Sequence, residues 1–165
     1  MAATKKLPIQ KAKTAGINNK TKHRSSTIKW INANMPETTW ILSRVGEEIL
    51  KLNNQFYNYD LYGFDSLQLT EYKTGGYYDW HMDTLIGLRD NQSPPRKLSA
   101  TILLNDDYKG GEFEFFNGFQ NAPDVPELKK GSIVVFPSFM YHRVAPVTEG
   151  TRYSLVAWVL GPLFK

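Results

Sequence analysis

The sequence predicts a mainly β domain with one flanking helix, a helix-buttressed β-sandwich or jelly roll. From residue 62 the runs FDSLQLTEYK, LSATILL, GEFEFF, SIVVF and RYSLVAWVL are rich in β-branched and aromatic residues and separated by Gly, Pro, Asn and Asp clusters. That is the pattern of successive antiparallel strands. Before them, Leu42, Val45, Ile49, Leu52 and Phe56 recur at steps of three and four, the apolar stripe of an amphipathic helix. A chain of 165 residues, 41% hydrophobic and 13% aromatic, is long and apolar enough to bury one core.

Taken in order, TIKWI (27–31) reads as a first strand. Pro36 and Glu37 mark a helix entry, and the periodicity predicts a helix over 37–55, weakened at Gly46. DDYKGGE (106–112) and KKGS (129–132) read as hairpin turns. Two longer connections, 84–97 and 117–130, have the length of binding or lid loops. No internal repeat is present.

Residues 1–36 hold eight basic residues and no acid, whereas 37–165 hold twelve basic residues against sixteen acids. The net charge of +4 therefore arises from the leading segment. Residues 1–26 are expected to form a solvated basic arm, and 27–165 a single domain. Such an arm can also serve as a weak anchor for nucleic acid or an acidic partner. There is no apolar run of about 18 residues, so no membrane span is expected. The absence of an apolar leader core places the protein in the cytoplasm as an expectation. With no cysteine, disulfides and thiolate metal sites are excluded, and a metal would fall to His, Asp or Glu.

That restriction gives weight to YYDWHMD (77–83), where His81 and Asp83 stand two apart. On a strand they would share a face, with Trp80 and Met82 on the other. Alone, the pair is equally the spelling of a half-exposed strand. His142 follows 61 residues later, after the apolar run SIVVF and a Pro-containing turn. Two imidazoles and one carboxylate are the donor set of the facial triad, which leaves positions open on ferrous iron. Arg152 comes ten residues after His142, and alternation puts it on one face with Ser154, Val156 and Trp158. A guanidinium at the start of so apolar a strand needs an anionic partner, unless it reaches solvent at the strand end.

In order and spacing these elements resemble the iron- and 2-oxoglutarate-dependent dioxygenases, in the prolyl 4-hydroxylase-like branch with its small PKHD-type hydroxylases. The resemblance runs through LTEYKTGGYYDWHMD, RKLSATILLNDDYKGGEFEF and GSIVVFPSFMYHRVAPVTEGTRYSLVAW, about residues 67–160. It implies a double-stranded β-helix core of the cupin-like kind. It further implies that His81, Asp83 and His142 hold Fe(II) and that Arg152 clamps the distal carboxylate of 2-oxoglutarate. Tyr72 is expected in the co-substrate pocket, with Thr101 and Ser154 as further hydrogen-bonding candidates. O2 would be consumed, succinate and CO2 released, and ascorbate would serve as reductant.

By the same analogy the substrate is a peptide or protein, with peptidyl proline as the residue hydroxylated, and Tyr77, Tyr78, Trp80 and Arg89 as contacts. The chain departs from two relatives: Arg152 stands where collagen-type enzymes carry lysine, and Leu103 where oxygen-sensing hydroxylases carry tyrosine. Nucleic-acid demethylation is the less favoured chemistry, because that branch has a second arginine where this chain has Trp158. A small metabolite as substrate, or a non-catalytic β-sandwich binding module, are the remaining alternatives.

Overall fold

Alternation along the strands decides which side chains meet which layer. The computed structural model describes residues 9–11, 23–31, 36–84, 94–118 and 122–163. Short strands β1 (Gln10–Lys11) and β2 (Arg24–Ser25) precede β3 (Thr27–Ile31), helix α1 (Thr39–Leu52) and β4 (Gly63–Lys73). Then follow β5 (Tyr77–His81), β6 (Arg96–Leu103), β7 (Lys109–Gly110), β8 (Phe113–Phe115), β9 (Ile133–Pro137), β10 (His142–Val144), β11 (Val147–Glu149) and β12 (Thr151–Leu160). A six-stranded antiparallel sheet has the order β1-β3-β4-β12-β6-β9, and a four-stranded sheet the order β2-β5-β10-β8. From β5 onward the main strands alternate between the two sheets: β5, β8 and β10 in the small one, β6, β9 and β12 in the large. This winding is the double-stranded β-helix expected from the sequence.

One face of the large sheet is apolar and meets α1. Val45 and Ile49 of the helix pack on Leu67, Leu98, Ala100, Leu155, Ala157 and Val159. Gly46 has a use here, since a Cβ at that position would stand 3.2 Å from the Phe64 ring. Its lower helix propensity is offset by a closer approach of helix to sheet. The opposite face turns inward with Gln68, Thr70, Tyr72, Ser99, Thr101, Arg152, Ser154 and Trp158, all of them buried. A second apolar cluster of Tyr72, Phe113, Phe136, Val144 and Val147 fills the space between the sheets. Leu67→Ala, at a fully buried position, is expected to cost about 2–5 kcal/mol, measurable as a lower urea midpoint. A loss below about 1 kcal/mol would contradict this packing.

Several sequence expectations are corrected. The helix ends at Leu52 and continues as a π-turn over Asn53–Tyr57. The wider turn shifts the phase of the stripe, so Phe56 is 63% exposed and Tyr57 packs against the core instead. Tyr57 also donates a hydrogen bond of 2.8 Å to the Val135 carbonyl. Buried Asn53 holds the exit, bonding Tyr59 N and Tyr59 O at 3.0 Å each. DDYKGGE is a crossover rather than a hairpin turn, because β6 and β8 lie in different sheets and β7 pairs with β11. KKGS is a turn leading from the small-sheet side into β9, closed by Ser132 N to Lys129 O at 2.8 Å.

The first long connection ends before Arg96, which already belongs to β6. Residues 85–93, Arg89 among them, lie outside the described residues, as do 119–121. Part of the second connection extends the small sheet, where Asp124 bridges Phe115. The basic arm is not wholly separate from the domain: β1 pairs with β3 and β2 with β5. Residues 1–8 and 12–22 lie outside the described residues. Among the described residues no helix is long and apolar enough to cross a membrane.

Candidate active site

The site forms where the end of β5 meets the start of β10. His142 stands opposite His81 in the ladder, and Val144 opposite Tyr78. Three steps along β5 thus match two along β10, a β-bulge that breaks strict alternation. The bulge brings Tyr78 onto the His81 face, their rings stacked with centroids 3.5 Å apart. Trp80, adjacent to His81, takes the other face as alternation requires, against Tyr141, Phe116 and the Arg143 guanidinium. The expected substrate contact at Trp80 is therefore corrected, since that ring faces away from the cavity. Asp83 lies in the bend just beyond β5, its backbone N–H bonded to the Ser138 carbonyl at 2.9 Å.

The three side chains converge. His81 Nε2 stands 3.7 Å from Asp83 Oδ1, and His142 Nε2 stands 3.6 Å from Asp83 Oδ2. One ligand atom from each lies within 4.8 Å of the others, close enough to share a metal ion. Both imidazoles present Nε2 for the same reason. His81 Nδ1 lies 2.7 Å from the Asp79 carbonyl and His142 Nδ1 lies 2.8 Å from the Met140 carbonyl. A carbonyl accepts only, so each Nδ1 carries the proton and each Nε2 keeps its lone pair.

Electrostatics favour the same donor state. Burial first, then the neighbouring His142, push the His81 imidazole from 6.5 down to about 4, against the opposing pull of Asp83 and the Asp79 carbonyl. Burial alone would raise the Asp83 carboxyl, but His142, His81, Ser99 and Trp158 outweigh it and hold it below the usual range. Trp158 contributes at longer range, for its buried Nε1 closes no hydrogen bond of normal geometry. Ser99 is in turn bonded to Ser138 at 2.9 Å. At neutral pH His81 is therefore a neutral imidazole and Asp83 a carboxylate.

These shifts have a sign for stability. The unfolded chain protonates its histidine near 6.5, the folded protein only near 4. As pH falls between those values the unfolded state binds more protons, and stability drops. The depressed Asp83 carboxyl adds a loss at still lower pH. The metal-free protein should therefore show a falling urea midpoint from pH 7 to pH 4, shallower in His81→Gln; a flat profile would contradict the burial of a neutral imidazole.

A cavity opens from these ligands along the inner face of the large sheet, lined by Tyr72, Tyr78, Thr101, Arg152, Ser154 and Trp158 among others. Every co-substrate candidate picked out in the sequence lines it. Arg152, opposite Tyr72 in the β12–β4 ladder, is only 1% exposed. Its Nη1 donates to Ser154 Oγ at 3.0 Å, and its guanidinium carbon lies 5.6 Å from the centre of the Tyr72 ring. Its Nε is buried without a partner, and no carboxylate pairs with it among the described residues. Gly111 (φ 67°) makes room, since a Cβ there would meet Arg152 Cδ at 3.0 Å. A buried cation with an orphaned N–H fits a carboxylate ligand that completes it.

The family model of the 2OG-Fe(II) oxygenase superfamily matches residues 67–160, which include all three convergent side chains and Arg152. The chain belongs to this superfamily. Membership in this oxygenase superfamily implies Fe(II), 2-oxoglutarate and O2, and the His–Asp–His cluster is its candidate iron site. A PKHD-type hydroxylase of Teredinibacter turnerae is 38% identical over 91 residues, covering 53% of this chain and 39% of that protein. The chain spans about two fifths of the length of the curated relatives it matches. A prolyl-4-hydroxylase from Pseudomonas putida superposes with a TM-score of 0.67 at 24% identity, over 87% of this chain and 76% of that one. A prolyl hydroxylase from Trichoplax adhaerens, solved with a hypoxia inducible factor peptide fragment, gives 0.72 at 20% identity, over 93% and 70%. At these identities the two structures share the oxygenase fold.

Sequence reasoning missed Arg24, Gln68 and Thr70, which meet at the cavity wall. Nothing local distinguishes Arg24 among eight basic residues in an acid-free segment. Gln68 and Thr70 alternate with leucines, which reads as a solvent-facing edge until the second sheet covers them.

Proposed function

We propose that the chain is a hydroxylase that couples oxidative decarboxylation of 2-oxoglutarate, giving succinate and CO2, to hydroxylation of a protein side chain, with peptidyl proline as the substrate residue. The observation that carries this reading is a buried guanidinium with an orphaned N–H sharing one cavity with a convergent His–Asp–His set. His81, Asp83 and His142 would hold Fe(II), which supplies dioxygen activation when bound. Asp83 balances part of the metal's charge, and the two carbonyl-anchored imidazoles keep their lone pairs aimed inward. Arg152 would take the distal carboxylate of 2-oxoglutarate through its fork, with Ser154 orienting that fork. Tyr72 and Thr101 would line the remaining wall and exclude water. Tyr78, stacked on His81, would meet the substrate at the metal. Ascorbate would keep the metal reduced between turnovers.

Support for a peptide substrate comes from the PKHD-type and prolyl hydroxylase relatives. The test is incubation with Fe(II), ascorbate and 2-oxoglutarate in air, with proline-containing peptides. The expected result is succinate together with a peptide heavier by one oxygen. Neither product in the presence of bound iron would end the proposal.

A further inference from the structure

The cavity holds a second guanidinium. Arg24 of β2 lies opposite Tyr78 of β5, its guanidinium carbon 4.4 Å from the centre of the ring that also stacks on His81. It therefore stands one aromatic ring away from a candidate metal ligand. Its Nε donates to Ser26 Oγ at 2.7 Å, and its Nη2 to Gln68 Oε1 at 2.8 Å and Thr70 Oγ1 at 3.5 Å. These partners are all neutral. Among the described residues no carboxylate pairs with Arg24, and Nη1 makes no hydrogen bond.

Formal charges show what is missing. With Fe(II) and 2-oxoglutarate bound, the two charges of the metal and the one of Arg152 balance Asp83 and the two carboxylates of the co-substrate. Arg24 is left without a counter-charge in the lining of this cavity, and Glu71, which shares a neighbouring pocket with it, is held by Thr27 and Tyr153. An arginine held by neutral acceptors in the lining of that cavity, with Nη1 still available, suits a planar anion bound through two oxygens. We infer that Arg24 recognises a carboxylate carried by the substrate close to the carbon that is hydroxylated. This rests on the oxygenase chemistry of that reading and redefines its substrate as one that carries a carboxylate. A proline buried within a neutral stretch of peptide lacks such a group, whereas free proline or a carboxy-terminal proline has one.

The test measures binding rather than turnover. The full chain is loaded with Mn(II) and 2-oxoglutarate without oxygen and titrated calorimetrically with matched pairs: L-proline and L-prolinamide, then one peptide ending in proline with a free or an amidated terminus. At least one acid should bind about tenfold or more tightly than its amide, the expected worth of a charge-assisted contact. The pair that discriminates tells the two sources of carboxylate apart. Arg24→Gln should abolish the preference and Arg24→Lys keep part of it, with 2-oxoglutarate affinity within about twofold. Equal binding of acids and amides, no binding by either acid, or a loss of 2-oxoglutarate affinity in Arg24→Gln would each overturn the assignment. Failure of the wild-type chain to bind 2-oxoglutarate would instead bring down the hydroxylase reading.

Discussion

Asp83→Ala is expected to yield a folded protein that no longer binds Fe(II) and forms no succinate. Asp83 is the one anion of the cluster, and each of its oxygens faces a different imidazole. Without it a dication would meet two neutral donors in a buried pocket, with nothing to offset its desolvation. The loss of metal affinity should exceed the roughly 10–100-fold that removal of an outer hydrogen-bond partner typically costs. Metal content after dialysis against Fe(II) or Mn(II), alongside the far-ultraviolet spectrum, separates this from misfolding. A variant that keeps its full metal complement would show that the ion, if any, sits elsewhere.

Arg152→Met should produce two effects of opposite sign. The guanidinium is 1% exposed and has Ser154 as its hydrogen-bond partner, with Nε unsatisfied. A thioether of similar reach removes a buried, unpaired charge, so the ligand-free protein should melt at the same or a higher temperature. On the proposed reading, the same change would delete a two-point contact to the co-substrate. At about 1.5–3 kcal/mol per charged hydrogen bond, the apparent KM for 2-oxoglutarate should rise about a hundredfold or more. Iron binding should persist, because none of the three ligands is touched. A destabilised variant with an unchanged KM would mean that Arg152 is structural.

Much of the site was legible because its residue types are constrained by chemistry. Without cysteine, a metal would fall to His, Asp or Glu, and His81, Asp83 and His142 stood at intervals compatible with two neighbouring strands. Arg152 was conspicuous as a charge beginning an apolar strand, and the faces of β12 follow simple alternation, with Arg152, Ser154 and Trp158 inward and Leu155, Ala157 and Val159 toward α1. The helix was legible from its stripe up to the point where the π-turn changed the phase.

Other features were set by contacts between distant segments. The bulge in β5 moved Tyr78 onto the inner face beside His81, a consequence of pairing with β10. Phe56 exchanged places with Tyr57 because Asn53 anchors the helix exit to Tyr59. Arg24, Gln68 and Thr70 came together across more than forty positions of chain.

The amino-acid sequence by itself determined the donor set, the strand-rich architecture and the apolar face that receives α1, because periodicity and side-chain chemistry are local properties. Only the tertiary structure decided which polar faces turn inward and which cation of the leading segment reaches the cavity. Those outcomes depend on sheet pairing and coverage, and a residue's face acquires an inside only when another layer closes over it.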